Sequence, residues 1–213
     1  AGQKGRFACV ADTGTAPAVF LLGNDPTEQH PLLAWNLRTN LRHNNARIYI
    51  ANHREIKLRR QAKSFVQIPA DSYADFARFL GSNETGGFNE DAIALRDALR
   101  SEPNLLIVFG SELRGPAIEA LVKFGLSLPD TKFACLGDYV NSRGAADMGL
   151  YPDLLPGYQP VQASTAIRAE YGARFPEQPG LDLPQMLEAA ARNQLAALYV
   201  VGYDPVGRLG VAP

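Results

Sequence analysis

The chain has 213 residues, is 46% hydrophobic and 20% charged, and sets 21 Lys+Arg against 22 Asp+Glu for a net charge of −1. A length of this order supports one sizeable core or two small ones. The near-neutral balance denies the whole chain the cationic field that draws nucleic acid or anionic lipid, and no apolar run approaches the roughly 18 residues of a transmembrane helix.

The first residues, Ala1-Gly2-Gln3-Lys4-Gly5-Arg6, lack both an initiator Met and the apolar stretch of a signal peptide, and read as the start of a piece excised from a longer protein. Cys9 and Cys135 are the whole cysteine complement. With no Cys-x-x-Cys spacing they read as two reduced core thiols, and a zinc or iron–sulfur site built from this segment is not expected. His30, His43 and His53 are scattered, with no pair at ligand spacing.

Residues 18–22 form the first of five short apolar runs, followed by 47–51, 105–109, 132–136 and 198–201. Their nearly continuous apolar character predicts strands buried on both faces, as in a parallel sheet covered by helices. Between the first two, Leu33, Leu37 and Leu41 mark a helix. Trp35 and Tyr49, with Phe76, Phe79 and Leu80 further on, sit at core-like spacings and read as packing residues. The run Arg54, Lys57, Arg59, Arg60 and Lys63 is the one basic cluster; it reads as a solvated face, or more sharply as a contact with another subunit.

A helix is predicted over 73–80, which Asp71-Ser72 could cap. The Gly-rich stretch 81–87 is plausible as a hinge between halves. Residues 90–100 predict a helix, with Pro103 as its stop. Ile118, Leu121, Val122 and Gly125 give another helical stripe, and Leu187, Ala190 and Ala191 a last one before 198–201. Residues 137–160 are long and turn-rich, the kind of passage that carries function or meets a neighbour. The alternation predicts an α/β, Rossmann-like, doubly wound and mostly parallel sheet with helices on both faces. The organisation expected is a single domain over 1–213.

Three strand ends resemble one another. Val19-Phe20-Leu21-Leu22-Gly23-Asn24-Asp25-Pro26 returns as Leu198-Tyr199-Val200-Val201-Gly202-Tyr203-Asp204-Pro205, and more loosely as Ile107-Val108-Phe109-Gly110-Ser111-Glu112. Gly lets the backbone turn sharply or approach a ligand closely, and the carboxyl ends of strands line the ligand crevice of such a sheet. Equally, Gly can simply end a strand. There is no G-x-G-x-x-G and no G-x-x-x-x-G-K-[ST], so neither a dinucleotide fingerprint nor a P-loop is claimed.

Gly23-Asn24-Asp25-Pro26 followed by His30-Pro31 resembles the G-x-N-P…H-P turn of the molybdopterin oxidoreductase superfamily. Ile50-Ala51-Asn52-His53-Arg54 sits where that superfamily has a strand ending in Asp-Pro-Arg, and Gln67-Ile68-Pro69-Ala70-Asp71 looks like its Pro-Gly-Thr-Asp step. The most specific stretch, residues 141–158 (NSRGAADMGLYPDLLPGY), resembles N-x-x-G-A-x-D-M-G-x-x-P-x-x-x-P-G-Y. Formate dehydrogenase catalytic subunits share that passage with the large iron–sulfur subunits of NADH:quinone oxidoreductase, respiratory complex I. Gly110-Ser111-Glu112-Leu113-Arg114-Gly115 looks like the complex I members in particular. The match spans roughly residues 18–205.

The resemblance implies a structural, cofactor-free region of such a subunit, scaffolding the peripheral arm on the cytoplasmic side of the inner membrane. Its partners would be other peripheral-arm subunits, with no nucleic acid and no membrane insertion. Iron–sulfur clusters would lie upstream in the full-length subunit. The alternative is a molybdopterin guanine dinucleotide-binding region of a formate dehydrogenase-like oxidoreductase. The resemblance places a weak or vestigial pterin–nucleotide pocket at Gly23, Asn24, Pro26, Asn52, Arg54, Gly110, Ser111, Asn141 and Gly144, with no catalytic or metal-ligating residue. Asn52 and His53 replace the Asp-Pro of the pattern, which removes a bidentate carboxylate acceptor, and Ala70 replaces its Gly; Arg54 keeps the capacity to pair with a phosphate. A general nucleotide-binding protein is the third reading.

Other chemistry finds little support. Ser111 and Ser142 lack a nucleophile elbow, Ser164-Thr165 reads as a helix cap, Asp147 and Asp153 as solvated or capping residues, and Asp138 as a turn residue.

Overall fold

The computed structural model describes residues 5–162, 169, 176–205 and 207. They divide into two compact units, one ending at Asp138 and the other beginning at Tyr139. The Gly-rich stretch 81–87 lies inside the first, joining two of its helices, and Ser164-Thr165 lies outside the described residues.

The first unit is a five-stranded parallel sheet in the order β3-β2-β1-β4-β5. Its strands are β1 (Ala18–Leu22), β2 (Arg47–Asn52), β3 (Ser64–Gln67), β4 (Leu105–Phe109) and β5 (Lys132–Cys135). Side chains alternate across it. Val19, Leu21, Ile48, Ile50, Leu106 and Val108 face one layer, while Phe20, Leu22, Tyr49 and Ile107 face the other. The first layer is α3 (Pro31–Asn44) with a 3₁₀ turn at Lys57–Gln61; the short helices α1 (Val10–Thr13) and α2 (Pro26–Gln29) precede α3. The second is α4 (Tyr73–Gly81), α5 (Glu90–Arg100) and α6 (Pro116–Leu126). Strands buried on both faces explain the continuous apolar runs of β1 and β4.

Local chemistry sets the helix boundaries. Pro31 opens α3, where its missing N–H costs nothing, and Asn45 ends it at a left-handed φ of 54°. Asn89 caps α5 through Ala92 N. Ser72, expected to cap α4, does not; its hydroxyl turns to Asp71 instead.

Three further expectations are corrected. Trp35 is 64% exposed, because it lies one residue off the α3 stripe of Ala34 and Leu37 that meets the sheet. Both cysteines are exposed, not core thiols. Cys135 ends the last strand of the sheet, two residues beyond Phe133, where residues 6–8 pair along its outer side, although partial burial still raises its thiol pKa. Residues 198–201 do not form a strand among the described residues: Tyr199 is 93% exposed, and an apolar run with no neighbouring strand has no ladder to join. The turn after it persists, with φ +65° at Gly202 and the Asp204 carboxylate accepting from Gly207 N.

The second unit holds α7 (Ser142–Asp147), the antiparallel pair β6 (Leu154–Leu155) and β7 (Gln159–Pro160), and α8 (Leu183–Ala191). The turn-rich passage thus folds into a short helix and a tight hairpin. Gly157 and Tyr158, both at positive φ, make the hairpin turn, and Gly157 N donates to Asp147 O. At Gly149, φ +73°, an added Cβ would stand 2.6 Å from the backbone of Leu155 and Pro156, so glycine is required where helix and hairpin meet.

One surface ion pair supplies a pH prediction. Lys132 Nζ bonds Asp12 Oδ1 at 2.6 Å and, with the Cys9 backbone, lowers the Asp12 pKa from 3.8 to about 2. The folded value lies below the unfolded one, so the pair's stabilisation is complete above pH 3.8 and disappears as pH falls through about 2. Acid unfolding followed by circular dichroism should therefore show a steeper loss in this window for the native chain than for Asp12→Asn. Parallel curves would contradict it.

Candidate functional site

The register of the sheet brings the predicted residues together. Leu22 of β1 pairs with Ala51 of β2 and with Phe109 of β4, so the next residues, Gly23, Asn52 and Gly110, end their strands at one level. Strand order reverses direction between β1 and β4, the position where ligands enter open α/β sheets.

Gly23 has φ +81°, and a Cβ there would press on Leu113, Tyr73 and Glu112 at 3.1–3.3 Å. The turn then buries Asn24, and Asp25 caps α2 by accepting from Thr27 N at 3.0 Å, with Pro26 as the first helical residue. Asn52 is also buried. Its amide donates to Asn24 O at 3.0 Å and its side-chain oxygen accepts from Arg54 N at 3.3 Å, so it fastens one strand end to the next. Arg54 is held by Glu28 at 2.6 Å, with Asp25 at 3.8 Å, and the bond to Glu28 raises its pKa further. Ser111 donates to Asp138 at 3.0 Å.

The groups that close the crevice were not singled out in the sequence. The Glu112 carboxylate folds back over the β4 end, where its Oε2 stands 2.7 Å from the place a Cβ on Gly110 would occupy. Its Oε1 accepts from Gln29 Nε2 at 2.5 Å, and Gln29 in turn accepts from Asp25 N. The Tyr73 hydroxyl accepts from His53 N at 3.1 Å and meets His53 Nδ1 at 2.9 Å; burial raises its pKa. The only hint in the sequence is positional: Asp25 and Glu112 both stand two residues after a strand-ending Gly.

Asn24 departs most from this satisfied arrangement. It is 1% exposed, and among the described residues neither its Nδ2 nor its Oδ1 has a hydrogen-bond partner; Glu112 Oε2 is buried and likewise unpaired among them, beside the same strand ends. Leaving such groups unpaired costs about 1–3 kcal/mol each. Replacing Asn24 by the nearly isosteric Leu should therefore leave stability unchanged or raise it by about 1 kcal/mol in urea unfolding. A loss larger than that would show the amide to be bonded in solution.

Asn141 and Gly144 belong to the second unit. Asn141 precedes α7, its carbonyl accepts from Ala145 N, and its side-chain amide lies over Gly144, where a Cβ would stand. A separate recess of about 420 Å³ lies between α4 and α6, bordered by Ala77, Gly81, Pro116, Ala120, Lys123 and Ser127, and contains none of the predicted residues.

The first-unit crevice does not suit a pterin guanine dinucleotide as it stands. A pyrophosphate over Gly23 and Gly110 would meet the Glu112 carboxylate, with Asp25 and Asp138 nearby in the strand-end turns. Arg54, the cation the sequence offers for a phosphate, is already paired. Among the described residues no group of three or more His, Cys, Asp or Glu could hold a metal ion, and no helix is long and apolar enough to cross a membrane.

No family model matches the chain. Curated relatives do. The second G-type subunit of NADH-quinone oxidoreductase from Rhizobium meliloti (strain 1021) is 28% identical over 223 residues, covering 88% of this chain and 26% of the relative. NADPH-Fe(3+) oxidoreductase subunit alpha of Geobacter sulfurreducens is 26% identical, covering 96% and 29%. A putative formate dehydrogenase, YrhE of Bacillus subtilis, is 21% identical, covering 95% and 26%. The resemblance carried by residues 141–158 and the strand-end turns is thus to G-type subunits of NADH-quinone oxidoreductase and to formate dehydrogenase-like proteins, over most of this chain. The chain spans under a third of the length of these relatives. Among solved structures, a chain of the formyltransferase/hydrolase complex (FhcABCD) of Methylorubrum extorquens aligns with a TM-score of 0.52 at 17% identity, covering 79% of this chain and 53% of that one, a likeness of fold.

Proposed function

We propose that this chain is a structural, cofactor-free α/β region of a protein akin to the G-type subunit of NADH-quinone oxidoreductase, serving as scaffold within a multi-subunit assembly. The observation that carries the reading is the self-closed strand-end crevice. Glu112, Gln29 and Asn52 fill or bridge the places a dinucleotide would need, and Arg54 is neutralised by Glu28. A carboxylate at the switch point repels a phosphate and gives the protein its own occupant there. The similarity to the G-type subunits supports membership of a larger assembly, whose other peripheral-arm subunits are the proposed partners, on the cytoplasmic side of the inner membrane. Electron-carrying iron–sulfur clusters belong, on this reading, to the part of the subunit upstream of residue 1.

One observation favours a second reading, a region that binds a molybdopterin guanine dinucleotide in a formate dehydrogenase-like enzyme. The unpaired Asn24 amide is a buried donor and acceptor at the place such a ligand would occupy. In that case Gly23, Asn24, Pro26, Asn52, Arg54, Gly110 and Ser111 of the first unit would line it. Elemental analysis for molybdenum and tungsten, with fluorescence of oxidised pterin, on the native full-length subunit separates the two. The scaffold reading expects neither metal and no pterin; a stoichiometric amount of either overturns it.

A further inference from the structure

Charge is distributed unevenly along the chain. Residues 31–67 hold eight of its 21 Lys+Arg and, in Glu55, only one of its 22 Asp+Glu. Some of these cations are used internally: Arg47 pairs with Glu102, Arg54 with Glu28 and Arg59 with Glu55, while Lys63, off α3 and the 3₁₀ turn, lies over the Tyr49 ring. Arg38, Arg42, Lys57 and Arg60 enter no ion pair among the described residues; Arg38 is half-buried and the other three are exposed. All four lie on α3 or the 3₁₀ turn, which cover the same face of the sheet and share one apolar cluster through Leu37 and Leu58. Near the start of α3, Leu32 and Trp35 are 81% and 64% exposed, one helical turn apart.

We infer that this face docks a carboxylate-rich surface of another protein chain, with Trp35 and Leu32 seated in an apolar recess of that partner and the four cations pairing its acids. Trp and Arg are the side chains that dominate the energetics of protein interfaces, and three of these four cations are Arg, whose planar guanidinium grips a carboxylate with two bonds. A membrane surface suits the face less well, because the apolar stripe of α3 (Ala34, Leu37) is already spent on the core. Nucleic acid would call for stacking platforms along the strip, and Trp35 is the single exposed aromatic of α3. The inference rests on the proposed place of the chain in a multi-subunit assembly.

Zero-length carbodiimide cross-linking of the native assembly containing the full-length subunit, read by mass spectrometry, tests it. Cross-links from Lys57 or Lys63 to Asp or Glu of a different chain are expected. In the full-length subunit, Arg38→Glu/Arg42→Glu/Arg60→Glu and, separately, Trp35→Ala should each lower incorporation into the assembly roughly tenfold or more, with thermal midpoints close to the parent's. Normal incorporation of both variants, or absence of inter-chain cross-links, overturns the docking face. So does charge-dependent binding of the full-length subunit to equimolar phosphatidylcholine–phosphatidylglycerol vesicles or to duplex DNA that displaces the partner chain. Molybdenum in the same preparation would overturn the scaffold reading and leave the cross-links standing. Missing cross-links in a molybdenum-free preparation would overturn the docking face alone.

Discussion

Phe76→Ala is expected to destabilise the first unit by about 3–5 kcal/mol, a large part of the stability of a domain this size. Phe76 is fully buried in the layer formed by α4, α5 and α6. Its ring centroid lies 5.8 Å from that of Phe79 and 5.4 Å from that of Phe88, and Phe79 and Phe88 are 4.5 Å apart. Truncation would open a cavity among three rings and remove two aromatic contacts, each worth more than its buried area alone. The same helix carries Tyr73, which braces His53 and touches the place a Cβ on Gly23 would fill. Urea unfolding should show a lower midpoint at unchanged slope. A loss below about 1 kcal/mol would mean that this layer repacks freely.

The second large effect lies at the opposite, amino-terminal end of the strands. Glu102 is buried and accepts from Arg47 Nε and Nη2 at 2.7 and 2.5 Å and from the Tyr49 hydroxyl at 2.6 Å. The bonds from Arg47 hold its carboxyl below the usual range, while burial and the bond to Glu102 push Tyr49 up to about 12. Glu102→Ala should cost about 2–4 kcal/mol, because it leaves a buried phenol without an acceptor and a half-exposed guanidinium without its partner. Tyr49→Phe, which removes one bond and keeps the ring, should cost about 1 kcal/mol. The folded carboxyl titrates below the ordinary value of 4.5, so its stabilisation is fully present above that pH and is lost as the solution is acidified beyond it. Glu102→Gln should therefore flatten the acid limb of the stability–pH curve. An unchanged limb would contradict the assignment.

What the sequence disclosed follows from what periodicity and turn chemistry report. Buried parallel strands are continuous apolar runs, so β1, β2, β4 and β5 were legible to within a residue or so; β3, a half-buried edge strand of Ser64-Phe65-Val66-Gln67, carries no such run. The strand at 198–201 was overread for the same reason, since the pattern records a capacity to be buried and not the presence of neighbours. Trp35 shows the limit of helical spacing, where a shift of one residue separates Ala34, in the core, from a ring in solvent. At the strand ends, Gly23 and Gly110 stand out because a Gly after an apolar run has a local signature, whereas Asn52 stands out only through the resemblance to a strand ending in Asp-Pro-Arg. Glu112 and Gln29 do not: their role comes from the end of α2 and the turn after β4, 83 residues apart, meeting over one crevice, and no local pattern encodes that closure.

On the scaffold reading the protein fills its own strand-end crevice. A high-resolution density map of the native assembly tests it most directly, at the space above Gly23 and Gly110. The Glu112 carboxylate is expected there, bonded to the Gln29 amide, with at most ordered water against the Asn24 side chain. Density for a pterin nucleotide in that space, with Glu112 swung away, would contradict it.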